Sequence, residues 1–125
     1  MTENELAKIV VDCAFRIHKT LGPGLFESVY EEVLSYELIK RGLKVERQKL
    51  IGIVYDDIKL NIGFKADIVV NGTLIIEIKS VETIAYVHQK QLLTYLRLTN
   101  LKLGLLFNFN EALIKNGIHR IINGF

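Results

Sequence analysis

The chain has 125 residues, of which 50% are hydrophobic and 24% are charged, and its formal net charge is +2. This length suffices for one compact domain with a core and is too short for two ordinary domains, so we expect a single domain over residues 1–125. The small net charge does not by itself indicate a nucleic-acid-binding protein, and the single cysteine excludes an internal disulfide and a cysteine-cluster zinc site.

The sequence contains no segment typical of membrane insertion or export. Its longest apolar runs fall far short of the ~20 residues that a helix needs to cross a bilayer. The first residues, "MTENELAKIV", lack the basic start and apolar block of a signal peptide. We therefore expect a cytoplasmic protein with no membrane partner.

Two helices are predicted in the first third of the chain. Apolar residues recur at helical spacing over residues 3–19, which predicts a helix with one buried face. Pro23, between two glycines, must interrupt this helix, because proline disfavours the helical conformation at the residue before it. A second helix is then expected from about residue 25 to residue 41, ending at Gly42.

Beyond Gly42 the apolar pattern changes to a period of two, which is typical of strands. We predict strands over residues 43–55 and 58–70, joined by a turn at Asp56 and Asp57. In the second strand the even positions are apolar, so Asp67 lies on the polar side. Asn71-Gly72 predicts a hairpin into a third strand, 73–79. A helix over 85–99 and strands over 101–109 and 117–123 complete the order α-α-β-β-β-α-β-β.

The third strand carries two opposite charges on one face. Glu77 and Lys79 alternate with apolar residues, so they project from the same side of the strand. Taken alone, a Glu-x-Lys string is more typical of a strand-edge ion pair. With Asp67 nearby, however, it matches the needs of metal-assisted phosphodiester hydrolysis: carboxylate oxygens for a hard cation, and positive charge near the reacting groups.

The loop at Asn71-Gly72 decides whether Asp67 and Glu77 can meet. A two-residue loop would place the two carboxylates on opposite faces. A three-residue loop, for example a type I turn with Gly72 in a bulge, would pair Asp67 with Ile75 or with Glu77, and either pairing brings both carboxylates to one face. The hydrophobic pattern favours the longer loop, because it aligns one apolar face: Ala66, Ile68 and Val70 with Leu74, Ile76 and Ile78.

These segments resemble a known superfamily. "ADIVVNGTLIIEIKS" resembles the Asp, spacer, Glu-x-Lys core of the PD-(D/E)XK nucleases, and "GLFESVYEE" matches the signature of the GxxExxY protein family within that superfamily at Gly24, Glu27 and Tyr30. "HQKQLLTYLRLTNLKLGLLFNF" is similar to the family's following helix and strand, so the resemblance spans nearly the whole chain. Ala66 replaces the namesake proline, at a position that varies widely.

The resemblance implies a fold and a set of site residues. The fold class would be α/β and restriction-endonuclease-like, with a central mixed sheet flanked by helices. Asp67, Glu77 and Lys79 would be the catalytic residues. The cofactor would be Mg²⁺ or Mn²⁺, bound by Asp67, Glu77 and a third carboxylate, Glu27, from the helix that we expect Glu77 and Lys79 to face. Without the signature, Glu27 would be read as a residue that stabilises a helix start.

Four further residues are candidates for supporting the site or binding substrate. Gln91 and Tyr95 match the Gln-x-x-x-Tyr feature of RecB-like nucleases, and their spacing places them on one helix face. His88 lies on the same side and could reach a phosphate, although an exposed or capping histidine is the more common situation. Tyr30 and Tyr95 are also expected to pack with a polar tip.

The implied function is a divalent-metal-dependent nuclease acting on nucleic acid, DNA in preference to RNA. The alternative is a catalytically inactive nucleic-acid-binding or protein-interaction module that retains the fold. A cluster of cations would serve that alternative: Lys40, Arg41, Lys44, Arg47 and Lys49. A homodimer is a further hypothesis, since cutting both strands needs two sites; "LKLGLLFNF" could supply its interface, although burial in the sheet is the better expectation.

Overall fold

A computed structural model describes residues 1–124 and shows three α-helices around a five-stranded sheet. The order of elements is the predicted one, and the bounds are α1 Glu3–Leu21, α2 Glu27–Lys40, β1 Val45–Tyr55, β2 Ile58–Val70, β3 Leu74–Lys79, α3 Tyr86–Thr99, β4 Leu103–Asn108 and β5 Ile118–Ile122. A short 3-10 helix, Ile114–Gly117, precedes β5. Within residues 1–124, no helix combines the length and the apolar character needed to cross a membrane.

The sheet has the strand order β1-β2-β3-β4-β5. Strands β3 and β4 are parallel, so α3 crosses over between them, and all other neighbours are antiparallel. Helices α1 and α2 cover one face with a large apolar cluster, and α3 covers the other face with a smaller one. Asp67 and Glu77 lie on the face that α3 covers.

The β2–β3 hairpin has the three-residue connection that the hydrophobic pattern favours, because Val70 pairs with Leu74. The turn itself differs from the type I example. Asn71 and Gly72 both have positive φ, 52° and 64°, which is typical of a type I′ turn, and the Thr73 N–H donates to the Val70 carbonyl at 2.9 Å. Thr73 is therefore the extra residue that shifts the register.

One residue of the expected apolar face lies elsewhere. Ile68 and Val70 pack in the cluster under α1 and α2, as expected, but Ala66 packs in the cluster under α3. The expectation for Ala66 was wrong because the apolar cluster against which β2 packs changes between Ile68 and Ala66. There α3 provides the covering surface, and Phe64 stacks on Tyr95.

Close packing of α3 against the sheet depends on Gly104 in β4. A Cβ atom at this position would lie 3.0 Å from the side-chain carbons of Leu92. The missing side chain therefore lets the buried Leu92 of α3 approach the strand. A larger residue at position 104 would push Leu92 away from the sheet.

Strand β4 lies inside the sheet and is fully buried. The apolar residues of "LKLGLLFNF" therefore fill the core, which confirms the expected burial and removes this strand as a dimer interface. A homodimer through another surface stays a hypothesis.

Candidate active site

Asp67 lies where the backbone ladder between β2 and β3 ends. The last backbone pair is Ile68 with Ile76. Beyond it, the Ile78 N–H donates to the side chain of Asp67, whose Oδ2 atom accepts at 2.8 Å. Continued by one residue, the same register places Glu77 directly opposite Asp67. Of the two pairings that a three-residue loop allows, the chain therefore adopts the one between the two carboxylates.

Glu77 is buried, and its Oε1 atom has no hydrogen-bond partner within residues 1–124. Burial and the facing Asp67 carboxylate raise the pKa of Glu77 to about 8, and the charge of Lys79 opposes this rise only in part. Two carboxylates thus face each other, and one of them holds a proton at neutral pH unless positive charge is added between them.

A cavity of about 200 Å³ opens beside this pair. The two strands contribute four polar residues to its wall: Lys65 and Asp67 from β2, and Glu77 and Lys79 from β3. Glu77 forms no ion pair with Lys79 in the part of the chain that the structure describes. A strand-edge ion pair therefore does not account for the two charges on β3. Both lysines instead border a common space with the carboxylates.

Lys65 is a cavity residue that the sequence analysis did not single out. It precedes Asp67 by two positions on β2 and lines the same wall. The available signal was this i, i+2 spacing, which places both side chains on one strand face.

Helix α3 supplies the opposite wall with His88, Gln91 and Tyr95. Tyr95 stacks on Phe64 with ring centroids 3.7 Å apart, so it combines packing with a place in the cavity. Burial, followed by the charges of Glu77 and Asp67, raises the pKa of Tyr95, and its hydroxyl therefore remains protonated at neutral pH.

His88 is half-buried, and its Nδ1 atom is buried without a hydrogen-bond partner in residues 1–124. The side chain is therefore neither the exposed nor the capping histidine that is more common at such positions. The His88 ring lines the cavity wall together with Gln91 and Tyr95.

Glu27 is not brought together with the other two carboxylates. Its Oε2 atom accepts the Ser80 N–H at 3.0 Å, just past the end of β3, and no group of three or more potential metal-ligating side chains occurs among residues 1–124. The reason is the layer arrangement: α2 packs on the sheet face that carries Ile76 and Ile78, whereas Glu77 projects from the opposite face. The expectation that Glu77 faces the helix bearing Glu27 was therefore wrong.

Tyr30 supports the loop before α2 and does not line the cavity. Its hydroxyl donates to the Gly22 carbonyl at 2.6 Å and accepts the Leu25 N–H at 3.1 Å. The ring is buried and stacks on Phe109. These contacts fit the packing role with a polar tip and leave no exposed part for substrate.

Asn108 holds the segment that follows Lys79. It is fully buried at the end of β4, where its Oδ1 accepts the Val81 N–H at 3.1 Å and its Nδ2 donates to the Val81 carbonyl at 2.9 Å. The next residue, Phe109, donates its N–H to the Lys79 carbonyl at 2.9 Å. A polar residue inside an apolar strand was the one local sign of this role.

A model of one protein family, described as the PD-(D/E)XK nuclease superfamily, matches residues 4–121. The chain belongs to this superfamily. Membership confirms the predicted family and the restriction-endonuclease-like fold class, and it supports a hydrolase, since most of the superfamily are nucleases. Assignment to the GxxExxY family stays a prediction. Searches of curated proteins and of solved structures gave no significant match to this PD-(D/E)XK chain.

Divalent metals are generally used by PD-(D/E)XK nucleases, and the residues present fit such an ion. Mg²⁺ is usually bound by one or two carboxylates, with water and substrate phosphate oxygens completing its shell. Asp67 and Glu77 supply two facing carboxylates, and the unpartnered Oε1 atom of Glu77 marks an acceptor that lacks a positive partner. Two protein ligands would suffice for such an ion.

The cluster of cations between Lys40 and Lys49 is largely paired with carboxylates. Three of the five cations form ion pairs: Arg41 with Asp12 at 2.8 Å, Arg47 with Glu31 and Glu32, and Lys49 with Glu46 at 2.8 Å. The segment is thus not a continuous positive surface, and the binding-module alternative does not depend on it.

Proposed function

We propose that this chain is a divalent-metal-dependent nuclease, one domain over residues 1–125, that hydrolyses phosphodiester bonds of nucleic acid, with DNA preferred over RNA. One observation carries the proposal: Asp67 and Glu77 face each other at the end of a strand pair and share a cavity with Lys79. Two carboxylates and a nearby positive charge are what phosphodiester hydrolysis with a hard cation requires.

In this proposal Asp67 and Glu77 hold Mg²⁺ or Mn²⁺, which when bound would neutralise charge on the phosphate and lower the pKa of the attacking water. Asp67 is oriented for this task by the Ile78 N–H on its Oδ2 atom. Glu77 must release its proton to bind a cation, and the cation's charge favours that release. Glu27 acts in a different way, by fixing Ser80 at the end of β3.

The lysines provide positive charge on the strand side of the cavity. Lys79 lies next to Glu77 in the same wall, where its ammonium group can stabilise charge that develops on the phosphate or orient the attacking water. Lys65 is exposed at the cavity edge, so it is suited to attracting the substrate phosphate.

The α3 residues border the substrate side of the same cavity. Gln91 and the protonated Tyr95 hydroxyl can donate hydrogen bonds to phosphate oxygens, and the His88 ring borders the same space. Their common helix face allows all three to contact one ligand.

The test is cleavage of labelled single- and double-stranded DNA and RNA with Mg²⁺ or Mn²⁺. Cleavage should require the metal, stop with a chelator, be faster on DNA, and be abolished by Asp67→Asn. Asp57→Asn, the same change in the exposed β1–β2 turn, is the matched control and should cleave like the parent. Activity that survives both Asp67→Asn and Lys79→Ala would exclude this site. Metal-independent binding without cleavage would support the binding-module alternative instead.

A further inference from the structure

Gln48 joins Asp67 to helix α2. Its Nε2 atom lies 3.2 Å from Asp67 Oδ1 and 2.6 Å from Glu31 Oε1. Ionised carboxylates only accept hydrogen bonds, so the two hydrogens of one amide nitrogen satisfy both neighbours, and this fixes the orientation of the amide. Gln48 thus bridges two acids that would otherwise repel each other.

The far end of this bridge is anchored. Glu31 is buried in α2, and its Oε2 atom accepts hydrogen bonds from Arg47 Nε at 3.1 Å and Arg47 Nη2 at 3.0 Å. A buried carboxylate is retained only with such partners, and charge-assisted pairs of this kind hold a side chain in place. Glu31 is therefore a fixed point from which Gln48 reaches the site.

The backbone of Gln48 is strained. It has φ 47° in the middle of β1, between Arg47, which pairs with Ile68, and Lys49, which pairs with Ala66. Positive φ is uncommon for residues other than glycine, and such strain persists where the surroundings require it, often at functional sites. Here the residue with positive φ, Gln48, lies directly opposite Asp67 in the β1–β2 register.

We propose that Gln48, anchored by Glu31, is a positioning residue that orients the Asp67 carboxylate and thereby sets the affinity of the site for a divalent cation. This inference rests on the proposed function, in which Asp67 holds the cation. With Ile78 N–H on Oδ2 and Gln48 on Oδ1, both oxygens of Asp67 are oriented. A neutral amide does this without cancelling the negative charge, whereas a lysine or arginine would compete with the cation.

The test measures Mn²⁺ binding by calorimetry, without substrate, in the parent and in Gln48→Gly. Glycine accepts the positive φ, so this variant should keep its unfolding temperature within a few degrees of the parent. Its Mn²⁺ affinity should fall about 10- to 100-fold, the usual effect of losing a group that orients a metal ligand. Asp56→Gly is the matched control, because Asp56 also has positive φ, 56°, but lies in the β1–β2 turn; its affinity should equal that of the parent.

A second variant tests the anchor. Glu31→Gln should weaken Mn²⁺ binding in the same direction, and combining it with Gln48→Gly should weaken binding no further than Gln48→Gly alone, because both changes break one connection. A parent that binds no Mn²⁺ overturns the metal site itself and with it the proposed function. A parent that binds Mn²⁺ while Gln48→Gly binds it equally well overturns only the role of Gln48.

Discussion

Asp67 faces Glu77 across the end of the β2–β3 pair, and burial together with this facing charge raises the pKa of Glu77 to about 8. Without a cation, such a pair is unfavourable for folding at neutral pH. One acid must stay protonated in the folded state, whereas both are ionised in the unfolded chain. The arrangement becomes favourable when a cation adds positive charge.

Replacing Glu77 with glutamine should stabilise the metal-free protein at neutral and mildly alkaline pH. The folded-state pKa of Glu77, about 8, is above its ordinary value of 4.5, so the folded state binds the extra proton between these values. Its contribution to stability is complete below about pH 4.5 and is lost as the pH rises towards 8, a loss on the order of 3 kcal/mol by about pH 7. Glu77→Gln should remove this decrease in the free energy of unfolding between about pH 4.5 and pH 8.

The measurement is the free energy of unfolding from urea titrations between pH 5 and 8, with a chelator present. Glu82→Gln, on the exposed loop after β3, is the control and should retain the pH dependence of the parent. The same slope in Glu77→Gln and in the parent would show that Glu77 is ionised in the folded protein.

Lys79→Met should lower kcat on the order of 100- to 1,000-fold and leave the free energy of unfolding nearly unchanged. Methionine keeps the length of the side chain and removes the charge that stabilises the transition state. Steady-state cleavage kinetics measure the effect, with Lys59→Met on the exposed part of β2 as the control. A loss that appears only in KM would assign Lys79 to substrate binding.

Lys65→Met should instead weaken substrate binding. An exposed lysine at the cavity edge contributes to the attraction of phosphate, so KM should rise and the slope of log affinity against log salt should fall by about 1. Binding of labelled DNA at several salt concentrations, with Ca²⁺ in place of Mg²⁺ to suppress cleavage, measures this slope. An unchanged slope would remove Lys65 from the phosphate contacts.

Asn108→Leu should destabilise the protein by about 2–4 kcal/mol. The change keeps the branching of the side chain but leaves the N–H groups of Val81 and Asn110 without their acceptor, and it removes one of the two amide donors to the Val81 carbonyl. An unsatisfied buried polar group costs about 1–3 kcal/mol. Urea unfolding measures the loss, and Asn116→Leu on the exposed 3-10 helix is the control. Equal stability of the two variants would show that Asn108 does not fix the segment after Lys79.

Much of the fold was predictable because the strand and helix periods are strong in this sequence. The order of elements and the three-residue connection at Asn71 followed from apolar alternation, since only one register covers the apolar side of β3. The meeting of Asp67 and Glu77 followed from that register. These were local patterns, read from residues close together in the chain.

The parts that could not be predicted depend on contacts between distant residues. The side of the sheet on which α2 packs decides that Glu27 reaches Ser80, 53 residues away, and nothing in its signature specifies this. The Gln48 bridge depends on an unusual φ in β1, which propensities do not anticipate. Ala66 was misplaced because the helix that covers β2 changes along the strand.

The most direct test of the metal site is a crystal structure of the protein soaked in Mn²⁺, with anomalous diffraction used to locate the ion. We expect one Mn²⁺ bound by carboxylate oxygens of Asp67 and Glu77, with Glu27 remaining on Ser80. Mn²⁺ that binds elsewhere while this pair is left without an ion, or carboxylates of Asp67 and Glu77 on opposite faces of the sheet, would contradict it.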